Sequence, residues 1–242
     1  FNSFPGPEVR GTDGWVMDDA TAGLSFLPLW NGTKAAALGG LIDAPIAVTT
    51  RLTHGYGASL GSTPMALDFT IVDSNVTYPN RDIFGISLLN GTDNLLTVFF
   101  TPAAQTASPN QLPEAQWNLS YQAGTAPMSS LPKCVVEGGG YGFNLGLTPN
   151  GANTDFVLKI IGGNTVTRSG TIAIHPNSQV SDFGLLWTTS QGVGASGDNF
   201  FVIDNLSVVP EPLSTTVTSL LLVCFAGLGA HYRRRKLQVK SP

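Results

Sequence analysis

At 242 residues, 42% of them hydrophobic, the chain is long enough for one large domain or two small ones with a filled core. Only 12% of residues are charged, and this shortage of Glu, Lys and Arg argues against a fold of solvent-facing helices and for strands and turns. Residues 1–209 hold 15 acidic and 7 basic residues, a net of −8, against +4 for residues 210–242, so the outer part repels phosphate backbones and nucleic acid is not expected as a partner.

The chain starts at Phe1 with no charged n-region and no apolar h-region. An exported domain needs a leader, so a signal peptide is expected to have been removed or omitted. Four tryptophans, Trp15, Trp30, Trp117 and Trp187, offer flat faces that complement the apolar face of a pyranose. Trp117 keeps phase with Leu119 and Tyr121 and belongs in the core. Trp30, beside the turn Asn31-Gly32, is the leading sugar-stacking candidate.

After Trp30 the run Ala36-Ala37-Leu38-Gly39-Gly40 leads toward a long strand at Ile46. Next come His54 and Gly57-Ala58-Ser59-Leu60-Gly61, which matches a nucleophile-elbow pattern. The elbow needs a helix after the serine, and here Gly61-Ser62-Thr63-Pro64 reads as loop. His54 and His175 are isolated, so neither suggests a metal site.

Period-2 alternation then marks half-buried strands: Leu67, Phe69 and Ile71; Trp117, Leu119 and Tyr121; Phe143, Leu145 and Leu147; Phe156, Leu158 and Ile160. Turn signals separate them at Asn90-Gly91, Gly138-Gly139-Gly140, Pro149-Asn150-Gly151 and Gly162-Gly163-Asn164. About twelve to fourteen strands are expected, with no long helical period and no fixed repeat. Two packed antiparallel sheets are the economical solution, an all-β sandwich or jelly roll.

Glu8, Glu114 and Glu137 are the only glutamates before the tail and lie far apart, whereas hydrolysis of a sugar bond needs two carboxyl groups on one linkage. No enzyme is expected. Cys134 and Cys224 fall in different environments, so both are expected as free thiols. Five Asn-x-Ser/Thr sequons, at Asn31, Asn75, Asn90, Asn118 and Asn205, would accept glycans in a eukaryotic secreted protein.

In the closing strand, Asp204 shares its phase with Phe200, Val202, Leu206 and Val208, so unbroken alternation aims a carboxylate at the core. A buried charge needs a partner. A bulge that re-phases the strand or a hydrogen-bonding role would resolve the conflict.

The tail runs Val209-Pro210-Glu211-Pro212, then an apolar piece from Leu213 to Tyr232, then Arg233-Arg234-Arg235-Lys236. As a helix, residues 213–232 would span roughly 30 Å, about one bilayer core. The four cations should stay cytoplasmic and place residues 1–209 outside. Ser214, Thr215, Thr216, Thr218 and Ser219 weaken the span, and the prolines mark the end of the outer domain.

These three parts, in this order over residues 209 to about 236, resemble the PEP-CTERM sorting domain of Gram-negative bacteria. The resemblance implies recognition by exosortase at Pro210, Glu211 and Pro212, and delivery to the envelope or exopolysaccharide. Residues 237–242 are then a cytoplasmic tail. The strand count and the run from Trp30 into the strand at Ile46 look like concanavalin A-like or laminin-G-like sandwiches. The ending Phe201-Val202-Ile203-Asp204-Asn205-Leu206-Ser207-Val208 looks like the last strand of carbohydrate-binding jelly rolls. That second resemblance implies a structural Ca²⁺ at Asp204, its oxygen cage completed by Asp13, Asp18 or Asp19.

The expected whole is an antiparallel β-sandwich of concanavalin A-like or jelly-roll type over residues 1–209, followed by one C-terminal transmembrane helix. It is expected to be a non-catalytic structural or adhesive protein of the bacterial envelope. A carbohydrate-binding module that holds exopolysaccharide or other glycans is the alternative, and a secreted glycoside hydrolase the third reading.

Overall fold

A computed structural model describes residues 15–17, 24–26, 29–30, 33–40, 49–55, 65–73, 81–103, 115–172, 180–188 and 199–208, with the backbone alone for the strands between 24 and 34. All of them belong to one compact unit, Phe1–Val209. The sorting motif Pro210–Pro212, the apolar span 213–232 and the cations Arg233–Lys236 lie outside the described residues, as do Asp13, Asp18 and Asp19.

Every regular element among the described residues is a strand. In chain order they are β1 Trp15–Met17, β2 Leu24–Phe26, β3 Leu29–Trp30, β4 Thr33–Lys34, β5 Ala36–Gly40, β6 Thr49–Gly55, β7 Met65–Asp73 and β8 Ile83–Asn90. They continue with β9 Asp93–Pro102, β10 Gln116–Ala123, β11 Ser129–Val136, β12 Tyr141–Asn150, β13 Asn153–Ile161, β14 Val166–Ile172, β15 Asp182–Thr188 and β16 Asn199–Val208. The chain is therefore all-β. The surplus over the expected count comes from the short pieces of the first forty residues, where Ala36–Gly40 is itself a strand instead of a lead-in to the next one.

Two seven-stranded antiparallel sheets form the body. Sheet A runs β1-β6-β15-β8-β9-β10-β11 and sheet B runs β14-β13-β12-β7-β16-β5-β2, with β3 and β4 a separate hairpin. The four alternating runs become β7, β10, β12 and β13, each with its apolar phase buried. Glycine sets the hairpin registers at Gly91 (φ 59°) and Gly151 (φ 60°), each the first loop residue after paired strand ends. A positive φ there matches the right-handed twist of the flanking strands.

The core lies between the sheets. Phe201 on β16 holds its ring 5.5 Å from Phe69, 5.7 Å from Phe84 and 5.2 Å from Phe100, joining rings of both sheets. All four are fully buried, each worth about 1.5–3 kcal/mol relative to exposure. Trp117 and Trp187 are buried with them and Trp15 is 2% exposed, so these three tryptophans are core residues with no face left for a sugar.

Candidate functional site

Because Leu67, Phe143, Leu145, Ile160 and Ile203 point inward, their strand neighbours Ala66, Asp68, Gly142, Asn144, Ile161 and Asp204 occupy the outer face of sheet B. Strand register sets Ile161, Gly142, Asp68 and Asp204 in one line across β13, β12, β7 and β16. An open groove of about 620 Å³ runs along that line, lined also by Gly140, Gly162 and Asn205.

Asn205 organises the acidic end. Its side-chain amide donates to Asp68 Oδ2 at 2.8 Å, and its backbone N–H donates to Asp204 Oδ1 at 2.8 Å. It does so from the left-handed region, φ 51°, a conformation asparagine tolerates better than most residues. The register between β16 and β7 shifts between Asp204 and Ser207, so Asn205 sits in a β-bulge.

This geometry corrects the reading of Asp204. Phe200 and Val202 do share its face, but that face is the outer one, where Val202, Ala35 and Ala37 form a small apolar cluster of their own with Phe200 against it. The bulge comes after Asp204 and re-phases the residues beyond it, so that Leu206 packs on the main core. Asp204 is 8% exposed, with its carboxylate turned to the groove and tied to Asn205.

Gly142 supplies the floor. A β-carbon there would make only ordinary contacts, 3.4 Å from Ile161 and 3.9 Å from Asp68 Oδ1, so no close approach forces glycine at this site. Its effect is to leave bare backbone in the groove. Ile161, 41% exposed, gives an apolar wall, and Asn144 adds an amide beside it.

At the far rim, Lys133 of β11 donates to the carbonyls of Gly162 and Asn164 and lies 5.5 Å from the centre of the Tyr141 ring. Burial holds its ammonium below the ordinary lysine range. It thereby links an edge of sheet A to the β13–β14 loop of sheet B.

Of the residues singled out in the sequence, Asp204 lies in the groove, beside Asp68 and not with any described calcium cage: among the described residues no group of three or more His, Cys, Asp or Glu could hold a metal ion. Asp13, Asp18 and Asp19 lie outside the described residues, as do Ser59 and its flanking glycines. Trp30 lies on β3, whose backbone alone is described. His54 packs its ring edge on Trp15 at 5.2 Å, and Cys134 is an exposed free thiol bonded to Asn118 at 3.2 Å.

Asp68, Gly142, Asn144 and Asn205 escaped sequence reasoning. Alternation marks Asp68 and Asn144 as outward-facing, but only strand register shows that they meet.

No family model and no curated protein matches the chain. Solved structures similar to it at low identity include legume lectins, a legume lectin-like domain and alginate lyases. The legume lectin-like domain from Entamoeba histolytica is 11% identical with a TM-score of 0.44, covering 82% of this chain and 91% of that one. Peanut lectin is 11% identical with a TM-score of 0.44, covering 86% and 96%. The alginate lyase from Klebsiella pneumoniae is 8% identical with a TM-score of 0.40, covering 79% and 82%.

Proposed function

We propose that residues 1–209 form a non-catalytic glycan-binding module, carried to the bacterial surface by the tail. The observation that supports it is the line Ile161, Gly142, Asp68, Asp204 with Asn205 across its end. Carboxylates accept hydrogen bonds from pairs of sugar hydroxyls, amides both donate and accept, and bare backbone beside an apolar side chain admits the face of a ring. A binding site needs no more than these groups.

Catalysis fits the same groups poorly. Cleavage of a glycosidic bond calls for one carboxyl to donate a proton while another acts as base or nucleophile. Here Asn205 donates to both Asp68 and Asp204, which engages both as acceptors.

The tail completes the proposal. Residues 210–236 act as a PEP-CTERM sorting signal: the Arg233–Lys236 cluster stops translocation, residues 213–232 cross the inner membrane, and exosortase processes the chain near Pro210–Pro212. The module is then released to the envelope of a Gram-negative bacterium, where glycan binding retains it.

A glycan array probed with the full-length chain tests the binding half, with Gly142→Trp as the variant that fills the groove. Binding lost in Gly142→Trp and kept in Trp30→Ala supports this site, and the reverse moves it to the β3–β4 hairpin. Uniformly negative arrays favour a structural or adhesive role. Intact-mass analysis of surface material tests the tail: a chain still reaching Pro242 in an exosortase-bearing host overturns the sorting reading.

A further inference from the structure

We propose that the groove selects glycans by charge, preferring chains that carry protonated amines and rejecting uronate-bearing ones. This rests on the glycan-binding reading of the same groove and adds the class of ligand. Asp68 and Asp204 are register partners on adjacent strands, both on the outer face, and both line the groove. Among the described residues no lysine or arginine lines it.

The geometry leaves a place for a cation. Asp68 commits Oδ2 to the Asn205 amide, while its Oδ1 lies 3.9 Å from where a β-carbon on Gly142 would stand, over the open floor. An ammonium resting on Gly142 meets that oxygen, with Asp204 on the next strand adding a second negative charge. A uronate in the same place brings a third carboxylate against two.

The lysines whose side chains are described do not reverse this field. Lys133 is engaged by the Gly162 and Asn164 carbonyls. Lys159 is exposed on β13, its register partner Asn144 lying one row away from Gly142. One solvated ammonium at that rim offsets part of the charge and leaves the Asp68 end negative.

The test is calorimetric titration of the full-length chain, kept in neutral detergent, with three oligosaccharides of equal length: a β-1,4-glucosamine oligomer, its N-acetylated counterpart and an oligogalacturonate. At about pH 6 and low salt the amines are protonated and the uronates ionised. The amine oligomer is expected to bind about fivefold tighter than the acetylated one, the size of a partly solvated ion pair, and the uronate weakest. Asp68→Asn retains the acceptor for Asn205 and should weaken the amine oligomer more than the acetylated one, bringing their ratio toward one. High salt should shrink the wild-type ratio in the same direction.

Equal binding of the uronate and the acetylated oligomer overturns the charge selection while leaving glycan binding intact. So does a ratio unchanged in Asp68→Asn, or uronate binding that appears only with Ca²⁺, which would make the carboxylates a cation bridge. Binding of none of the three, in wild type and variant alike, overturns glycan binding itself and this selection with it.

Discussion

The indole N–H of Trp187 donates to Oδ2 of Asp82 across 2.9 Å, with the tryptophan fully buried and the aspartate 2% exposed. Around this pair the two sheets are clasped by polar bonds. Trp117 Nε1 donates to the Asp82 carbonyl at 3.0 Å, and the Asp82 N–H donates to Asn199 Oδ1 of β16 at 3.0 Å. Beside it Arg81 pairs with Asp73 of β7 at 2.7 Å, both side chains almost wholly buried. Residues 81–82, leading into β8 of sheet A, are therefore bonded to β7 and β16 of sheet B.

Such a clasp should be felt in stability. Trp187→Phe keeps the ring and removes the donor, and should cost about 1–3 kcal/mol because a buried carboxylate loses a hydrogen bond. Arg81→Met strips Asp73 of its buried counter-ion and should cost more, about 3–5 kcal/mol. Urea midpoints at neutral pH measure both. An Arg81→Met change below that of Trp187→Phe would show that Asp73 is held by other groups.

Where β5 meets β16, the backbones approach too closely for a side chain. Gly39 has φ 142°, and a β-carbon on it would stand 2.2 Å from the Asn199 carbonyl oxygen. Gly39→Ala should therefore lower stability by at least about 2 kcal/mol, from strain and from parting of β5 and β16. Gly146→Ala is the matched control, since a β-carbon there meets nothing within 4 Å. Thermal melts of the two variants should separate clearly, and equal melting temperatures would contradict the close approach.

The pH dependence at alkaline pH should carry the mark of Lys133. Burial lowers its folded-state pKa below 10.5, so the unfolded chain holds the proton more tightly and unfolding takes one up in the window between the two values. The desolvation penalty is in full force below that window, and stability rises as pH climbs through it. Lys133→Met abolishes the effect. The stability of wild type minus Lys133→Met, from urea titrations between neutral pH and 10.5, should grow with pH; a flat or falling difference would count against the burial of this ammonium.

Much of the sandwich was legible because its causes are local. Alternation at residues 67–71, 117–121, 143–147 and 156–160 depends on one buried face per strand, and the glycine turns at 91, 138, 151 and 162–163 take positive φ for steric reasons that act within a few residues. The groove was not legible, because its groups come from β7, the β12–β13 hairpin and β16, which lie far apart in sequence. Only register brings Asp68 opposite Asp204 and Gly142 beside Asp68. Asp204 shows the same limit: its phase with Phe200 and Val202 was right, but alternation cannot tell an inner apolar face from an outer one covered by Ala35 and Ala37.

The Asn205 bulge joins fold to function, and its two contributions can be separated. Asn205→Gly keeps the left-handed backbone and the N–H to Asp204 while removing the amide that reaches Asp68. Asn205 is exposed, so this variant should stay within about 1 kcal/mol of wild type in stability. Asn205→Ala removes the same amide and also places an ordinary side chain at φ 51°, which should cost about 1–2 kcal/mol more. If Asn205 serves the groove by holding Asp68 in place, both variants should weaken glycan binding by the same factor despite their different stabilities. Asn205→Asp should weaken binding of an uncharged glycan further, because its carboxylate turns the donor to Asp68 into a like charge. Affinities and melting temperatures measured side by side decide the matter: binding that tracks stability across the three variants, with Asn205→Gly close to wild type, would make Asn205 a device of the bulge alone.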